Sequence, residues 1–196
     1  MRKAEDKKQQ LLDMGAILLS QHGYNGVGLK EVLGACQVPK GSFYHYFSSK
    51  EDYAAQVVSH YQDNYLAMID EVIAKDTLTP LAKIRRISEG VIQYLNAAGN
   101  RVGCLLGSIT AEVGGDHDVV RQAVQKAYGQ WKQRYDVLFE QAQQAGEIRA
   151  DIPAAQLADI FWNQWQGALL RMQLERSPDI LEQSLDLILD TLYQSK

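Results

Sequence analysis

The segment from Pro39 to Phe47, PKGSFYHYF, combines groups that bind phosphate with four aromatic rings in five positions. Lysine neutralises a phosphate, serine and tyrosine hydroxyls donate hydrogen bonds to its oxygens, and glycine lets a backbone approach closely. On a helix that begins near Lys40, Phe43 and Phe47 lie four positions apart on one face, so we expect Phe43, Tyr46 and Phe47 to pack. The groups expected on the exposed side, where they suit a DNA backbone, are Lys40, Gly41, Ser42, Tyr44 and His45.

The cysteines and histidines do not form a recognisable metal or redox motif. Cys36 and Cys104 match no metal-ligand spacing, and two cysteines in 196 residues suit a reducing cytosol. We expect Cys36 to pack in the core, no structural metal and no cofactor. The histidines His22, His60 and His117 have no metal-ligand spacing either, and they are interpreted as surface or capping residues.

Enzyme and membrane signals are absent from the sequence. We find no nucleophile motif, paired-carboxylate motif or glycine-rich phosphate loop, which argues against an enzyme. The first ten residues, MRKAEDKKQQ, mix both charge signs, and no run of about 18 apolar residues could span a membrane. We therefore expect a soluble, cytoplasmic protein that does not bind a membrane.

Helical periodicity dominates the chain, and strict apolar alternation is lacking, so we predict an all-α fold. Glycine, proline and capping residues divide it into about nine helices. Predicted segments are 4–22 with Gly23 as a C-terminal cap, 29–35 after the N-cap Gly28, 39–47, 50–74, a helix capped by Thr79 and closing at Gly99, a short segment at 104–115, 116–144, 154–176 and 178–193.

The first 50 residues predict a helix-turn-helix, in which the second short helix can enter the major groove of DNA, about 12 Å wide. We therefore assign residues 1–50 to a DNA-binding domain and residues 51–196 to a larger helical domain for ligand binding and dimerisation. Residues 1–60 hold seven Lys or Arg and six Asp or Glu, whereas the rest holds thirteen and eighteen, giving charges near +1 and −5. An acidic bulk with a less acidic end fits a protein that presents one end to a polyanion.

The stretch GVGLKEVLGACQVPKGSFYHYFSSKEDYAAQVV resembles the DNA-binding domain of the tetracycline-repressor (TetR) family of bacterial transcription regulators. The family pattern G-x-x-Y-x-Y-F-x-x-K is matched by Gly41, Tyr44, Tyr46, Phe47 and Lys50. The resemblance implies that residues 40–45 lie in the major groove and that Tyr44, His45 and Lys50 contact phosphates. With Lys30 included, the candidate DNA-binding residues are Lys30, Lys40, Gly41, Ser42, Tyr44, His45 and Lys50.

Two positions depart from the family pattern. The family commonly has Thr where this chain has Gly28, so we expect no phosphate contact from a side chain there. It commonly has Gly in the interhelical turn where this chain has Gln37. A left-handed Gln would be strained, so we expect the turn to differ slightly.

The same resemblance implies a homodimer that binds a pseudo-palindromic DNA operator and is released by a small-molecule inducer or an electrophile. The last two helices would form the dimer seam, with Phe161, Trp165, Leu169, Ile188 and Leu192 as candidates. An apolar ligand cavity has Trp131, Trp165 and Tyr128 as candidate lining residues, although aromatic residues at helical spacing are more often core.

Cys104 lies in a G-C-L segment that resembles a subset of the family whose members respond to electrophiles or oxidants, which implies a sensor thiolate. A thiolate needs nearby cations or a helix N-terminus, and Cys104 precedes a short predicted helix close to Arg101. A free cysteine is also a small buried hydrophobe, and that alternative stays open.

We infer a transcriptional repressor released by a ligand or by modification of Cys104. Two other classes remain as alternatives: a helix-turn-helix module that binds protein without an inducer, and a small-molecule enzyme. DNA binding should weaken linearly with salt on a double logarithmic scale, which separates it from the protein-binding alternative.

Overall fold

The structure is a computed structural model that describes residues 2–98, 103–113, 117–177 and 179–194, with side chains described from residue 5 onward. Within these ranges the chain is all-α, as predicted, and no helix there is long and apolar enough to cross a membrane. The helices of the described ranges are α1 (Arg2–Gly26), α2 (Leu29–Ala35), α3 (Lys40–Phe43), α4 (Lys50–Ile73), α5 (Pro80–Ala97), α6 (Leu105–Thr110), α7 (Asp118–Gln144), α8 (Ala154–Glu175) and α9 (Asp179–Leu187), the last followed by a π-helical turn (Ile188–Leu192).

Three predicted helix ends differ from the structure. Gly23 has φ 71° as expected of a cap, but helical structure resumes after it and α1 continues to Gly26. The predicted end of the third helix at Phe47 is wrong, because α3 ends at Phe43 and a turn follows. The last predicted helix closes in a π-helical turn. The predicted boundary residues Gly99, Asp116 and Pro178 and the neighbour Arg101 lie outside the described residues.

Local capping explains where α4 and α5 begin. The Ser49 hydroxyl accepts a hydrogen bond from the Asp52 N–H at 3.0 Å, while the Asp52 carboxylate accepts one from the Ser48 N–H at 2.7 Å. Thr79 caps α5 by accepting from the Ala82 N–H at 3.3 Å, and Pro80 occupies the first helical position. These bonds satisfy helix-end N–H groups that would otherwise lack partners.

The chain divides into two compact units, of which the first comprises Met1–Tyr65 and Cys104–Tyr128. Its core joins α1, α2, α3 and α4 through side chains with almost no exposed surface, namely Leu11, Leu19, Val32, Phe43, Phe47, Tyr53 and Val57. The Tyr53 hydroxyl donates to the Leu11 carbonyl at 2.7 Å, so its polar atom is satisfied inside this core. The proposed DNA-binding range, residues 1–50, lies within the first unit.

The second unit comprises Leu66–Gly103 and Gly129–Lys196. Its core contains aromatic rings from α7 and α8 together with Tyr193, whose hydroxyl donates to the Leu157 carbonyl at 2.6 Å. Phe139 lies 5.8 Å from Phe161 and 5.7 Å from Tyr193 between ring centroids. This cluster stabilises the last helices of the chain against α7.

Candidate nucleic-acid interface

The turn between α2 and α3 places the recognition segment. Gln37 adopts a left-handed conformation with φ 53°, a backbone that is strained for glutamine, and a slight difference of this turn from the family pattern stays a prediction. The Gln37 N–H donates to Gly34 at 3.2 Å and the Val38 N–H donates to Leu33 at 2.9 Å. This pair of bonds is a Schellman motif, closed by the buried side chains of Leu33 and Val38. The motif offsets the strain of a non-glycine residue at that position.

One side of the recognition segment is fixed in the core. The Phe43 ring lies 5.1 Å from Phe47 and 5.4 Å from Tyr53, and Phe47 lies 4.9 Å from Tyr53. Phe43 and Phe47 are fully buried, whereas Tyr46 is only half-buried. Offset and edge contacts of this kind stabilise aromatic clusters beyond simple burial. The segment is therefore held by two phenylalanines and only partly by Tyr46.

The opposite side of the segment is open. Tyr44 is 56% exposed, Ser42 is half-buried, and Lys40, Gly41 and His45 are exposed. A Cβ atom on Gly41 would meet no atom within 4 Å, so the backbone there is accessible to a neighbouring molecule. The exposed side chains include one cation and hydroxyl and imidazole hydrogen-bonding groups.

An open groove of about 650 Å³ runs beside these residues, between α2 and α3. Lys30 and Lys40 contribute to its lining together with Tyr44, and both lysines are exposed. The other lining residues are Leu29, Leu33, Gly34, Gln37, Val38 and Pro39. The groove therefore has an apolar lining with two cations among its walls.

Lys50 occupies the first position of α4, but its ammonium group does not extend freely into solvent. The Nζ atom lies 4.5 Å from the centroid of the buried Tyr24 ring. Burial lowers the pKa of Lys50, and the negative charge of Glu112 opposes that effect. Lys50 is thus positioned near the recognition segment by contacts with other elements of the first unit.

Sequence analysis missed the group of residues that surrounds Lys50. His117 was interpreted as a surface or capping residue, yet its Nδ1 lies 2.6 Å from a Glu51 carboxylate oxygen and its ring lies 4.6 Å from Tyr24. Glu112 accepts a hydrogen bond from the Asn25 N–H at 2.7 Å. These partners are distant in sequence, so no local pattern indicates them.

His60 is likewise expected from the sequence to be a surface or capping residue. Its Nε2 atom lies 2.7 Å from an Asp13 oxygen and 2.9 Å from the Gln9 amide nitrogen, which joins α4 to α1. Cys36 is buried, as expected. Among the described residues, no group of three His, Cys, Asp or Glu side chains could hold a metal ion.

The candidate ligand and redox residues fall into different surroundings. In the second unit, Trp131 stacks on Tyr135 at 4.2 Å between centroids and Trp165 stacks on Phe161 at 6.1 Å, so both tryptophans are packed in the core. In the first unit, Tyr128 is half-buried. Cys104 is also half-buried, forms no disulfide, and occupies the N-cap position of α6.

The candidate dimer residues are mostly internal to the chain. Phe161, Trp165, Leu169 and Ile188 are buried within a single chain, where they offer almost no area to a partner, and only Leu192 is exposed, at 48%. Their size and spacing mark the core-facing side of α8 and of the π-helical turn, and their assignment to a dimer seam stays a prediction. The exposed apolar side chains of these helices are Ile160, Leu170, Leu174 and Leu187.

Comparisons with known proteins cover both parts of the chain. Residues 11–57 match the family described as bacterial regulatory proteins, tetR family, and residues 80–188 match the tetracyclin repressor-like C-terminal domain. The transcriptional regulator AcuR of Cereibacter sphaeroides is 38% identical over 88% of this chain and 79% of that protein. The HTH-type transcriptional repressor DhaR of Mycobacterium sp. strain GP1 is 30% identical over 96% of this chain and 93% of that protein.

Solved structures agree with these sequence relationships. The crystal structure of the regulatory protein TetR from Rhodobacter sphaeroides superposes with a TM-score of 0.87 at 36% identity, covering 92% of this chain and 95% of that one. The reduced form of Escherichia coli NemR superposes with a TM-score of 0.84 at 27% identity, covering 94% and 96%. Both matched regions, the helical fold and the helix-turn-helix lead to one conclusion: the chain belongs to the TetR family and is a DNA-binding transcriptional regulator.

Proposed function

We propose that this regulator represses transcription by binding a double-stranded operator with the exposed side of α3 and the residues beside it. The observation that supports this site is the division of residues 40–47 into a buried side, with Phe43 and Phe47, and an open side with phosphate-binding groups. A segment anchored in this way can enter a major groove without losing its own packing.

Each exposed group has a role that follows from its chemistry. Lys30 and Lys40 neutralise phosphate charge on either side of the groove, while Gly41 allows close backbone approach. Hydrogen bonds to phosphate oxygens come from the Ser42 and Tyr44 hydroxyls and from the His45 ring. Lys50 contributes a further phosphate contact from the start of α4 once its ammonium turns outward. These contacts fix the protein on DNA, and the apolar groove is available to base edges.

Selection of bound fragments from genomic DNA, followed by a salt titration on the selected operator, tests the proposal. Lys40→Ala should weaken binding across sequences and reduce the slope of log affinity against log salt by about 0.9 for each phosphate that the variant leaves without a cation. The matched control is Lys75→Ala, an exposed lysine beyond α4 that should leave the slope unchanged. Failure to select any DNA fragment, or an unchanged slope with Lys40→Ala, would contradict the proposal.

We further propose that two chains associate through the exposed faces of α8 and α9. Leu170 is 69% exposed and Leu174 is 82% exposed, and they lie four positions apart on one side of α8. Gly167, three positions before Leu170, leaves room for a partner backbone, since a Cβ atom there would meet nothing within 4 Å. Leu187 and Leu192 extend the apolar surface along the last helix. A two-fold dimer would present two recognition segments to a pseudo-palindromic operator.

An inducer is proposed to release the operator, either as a small molecule bound in the larger domain or as an electrophile that reacts with Cys104. The second route is supported by the half-buried position of Cys104 at the start of α6 and by similarity to NemR, a relative whose structure was solved in a reduced form. With an activated alkene as the electrophile, the thiolate sulfur would bond to the β-carbon as the C=C π bond breaks, and the α-carbon would take a proton from water. No catalytic role is proposed for any residue.

A further inference from the structure

The Glu112 carboxylate, from the segment after α6, lies against the bend of α1 at Gly23. Gly23 has φ 71° and ψ −178°, and a Cβ atom there would overlap the Glu112 carboxylate. The other carboxylate oxygen of Glu112 accepts a hydrogen bond from the Asn25 N–H at 2.7 Å. Glycine at position 23 therefore provides both the left-handed backbone and the space that Glu112 occupies.

The neighbouring Tyr24 connects this bend to the start of α4. Its ring is buried and contacts the Lys50 ammonium at 4.5 Å and the His117 ring at 4.6 Å, both measured to the Tyr24 centroid. His117 is itself paired with Glu51 at 2.6 Å. Residues from α1, α4 and the segment between α6 and α7 thus lie around one tyrosine ring, and we call the group of Tyr24, Lys50, Glu51, Glu112 and His117 the Tyr24 corner.

We propose that Glu112 is a positioning residue for operator binding, because its charge holds the Lys50 ammonium in the Tyr24 corner and so reduces its availability to a phosphate. The inference rests on the proposed role of Lys50 as a phosphate contact. Operator binding then requires the Lys50 ammonium to give up the electrostatic attraction of Glu112, with which it forms no direct ion pair, in exchange for contact with a DNA phosphate. The exchange leaves the Glu112 bond to Asn25 in place.

Two further observations support this role. Partial burial lowers the pKa of Lys50 and the Glu112 charge opposes it, so the two groups interact electrostatically although they form no direct ion pair within 4 Å. The ammonium also faces a tyrosine ring, an arrangement that attracts cations. The Glu112 charge and the Tyr24 ring therefore both attract the Lys50 ammonium.

The position of Glu112 gives the corner a connection to α6. That helix has six residues and a length of about 9 Å, with Cys104 at its N-cap and Glu112 two residues beyond its end. A displacement of α6 would move the carboxylate relative to Lys50 and so change operator affinity. By thermodynamic linkage, operator binding would change the equilibrium between the original and the displaced position of α6 by the same factor.

A double-mutant cycle with Glu112→Gln and Lys50→Met measures this coupling. Glutamine removes the charge but keeps an oxygen that can accept the Asn25 hydrogen bond, and methionine keeps much of the lysine stem without its charge. Fluorescence anisotropy on the selected operator should show Glu112→Gln binding about two- to fivefold more tightly than the unaltered protein, the range of an exposed charge pair. The same substitution in the Lys50→Met background should change affinity much less.

The salt dependence and the melting temperature complete the test. Lys50→Met should reduce the log-log salt slope by about 0.9 for each phosphate that Lys50 neutralises, whereas Glu112→Gln should leave it unchanged. If Glu112→Gln increased operator affinity equally in the unaltered protein and in Lys50→Met, the increase would come from the change in net charge and not from Lys50. That result would overturn the inference. Weaker binding by Glu112→Gln at an unchanged melting temperature, or an unchanged slope with Lys50→Met, would also overturn it. Lys40→Ala tests the operator site independently. If Lys40→Ala weakens binding as expected while the Glu112 and Lys50 variants do not behave as described, the inference fails and the proposed function stands.

Discussion

The backbone of Gly15 in α1 lies directly against the hydroxyl group of Tyr53 in α4, so a Cβ atom on Gly15 would overlap the Tyr53 oxygen. The same atom would lie 2.6 Å from a methyl carbon of Val57. Alanine favours helix over glycine by about 1 kcal/mol, but overpacking a rigid core costs about 1 to 3 kcal/mol. We therefore expect Gly15→Ala to lower the melting temperature, measured by circular dichroism.

Two further substitutions test whether overlap with Tyr53 causes the expected loss of stability in Gly15→Ala. Gly129 lies inside α7, where a Cβ atom would meet nothing within 4 Å, so Gly129→Ala should raise the free energy of unfolding by about 0.5 to 1 kcal/mol. Removing the obstructing hydroxyl with Tyr53→Phe should reduce the cost of Gly15→Ala, since the two changes share a contact. Additive effects of the two substitutions would show that the hydroxyl does not cause the overlap.

Gln37 and Gly146 test the cost of left-handed backbone in opposite directions. Gln37 has φ 53°, and Gln37→Gly should stabilise the protein by about 0.5 to 1 kcal/mol, because relief of a penalty of about 1 to 2 kcal/mol exceeds the entropic cost of glycine. Gly146 has φ 72° with open space around it, so Gly146→Ala should cost about 1 kcal/mol through conformation alone. Denaturant unfolding measures both, and destabilisation by Gln37→Gly would contradict the assigned strain.

The ion pair between Asp70 and Arg134 makes the free energy of unfolding depend on pH in the acid range. Two hydrogen bonds of 2.6 and 2.7 Å from Arg134, together with its charge, lower the pKa of Asp70 below 3.8. A lowered folded-state pKa means that the stabilisation is present above pH 3.8 and is lost as the pH falls through the folded-state pKa. Asp70→Asn should cost about 0.2 to 1 kcal/mol at pH 7, because the pair is partly exposed.

Denaturant unfolding across the acid range checks the sign of this effect. The difference between Asp70→Asn and the unaltered protein should shrink as the pH falls below 3.8. Asp63→Asn, an exposed aspartate on the same helix, controls for the loss of one negative charge. If the difference in free energy of unfolding between Asp70→Asn and the unaltered protein stayed constant down to low pH, the loss of stability would come from packing and not from the charge of Asp70.

The exposed leucines of α8 are expected to hold the dimer together. The double substitution Leu170→Lys and Leu174→Lys places like charges on an apolar face and should yield monomers in light scattering coupled to size-exclusion chromatography. Operator affinity should fall about 100-fold or more, since two linked contacts bind far more tightly than one. Val119→Lys, an exposed apolar position at the start of α7, is the control. A doubly substituted protein that remained dimeric would locate the interface elsewhere.

Cys104→Ser tests the electrophile route directly. Serine preserves the size of the side chain but forms no thiolate at neutral pH, so the variant should bind operator with unchanged affinity and fail to release it when an electrophile such as N-ethylmaleimide is added. Cys36→Ser, at the buried cysteine, should still release it. Release that persisted in Cys104→Ser would rule out this cysteine as the sensor, and the small-molecule route would remain.

Local signals predicted most helices and the recognition segment, because caps and periodicity act over a few residues. Gly28, Thr79 and Ser49 occupy the boundaries that their chemistry favours. The Tyr24 corner was not predictable, since Glu112 bonds to a residue 87 positions earlier and His117 to one 66 positions earlier. The candidate dimer residues show a related effect: large apolar residues such as Phe161 and Trp165 pack within the core of one chain, so their size alone does not distinguish a core from a dimer seam.

The aromatic anchor formed by Phe43, Phe47 and Tyr53 separates folding from DNA contact. Since Ser42 and His45 carry little of the packing of the same segment, a lineage can exchange these proposed phosphate contacts and change how strongly the protein is held on DNA without rebuilding the domain. Duplicated copies of such a gene can diverge in operator affinity while keeping one fold. The same arrangement makes this segment a practical place to engineer the strength of DNA binding.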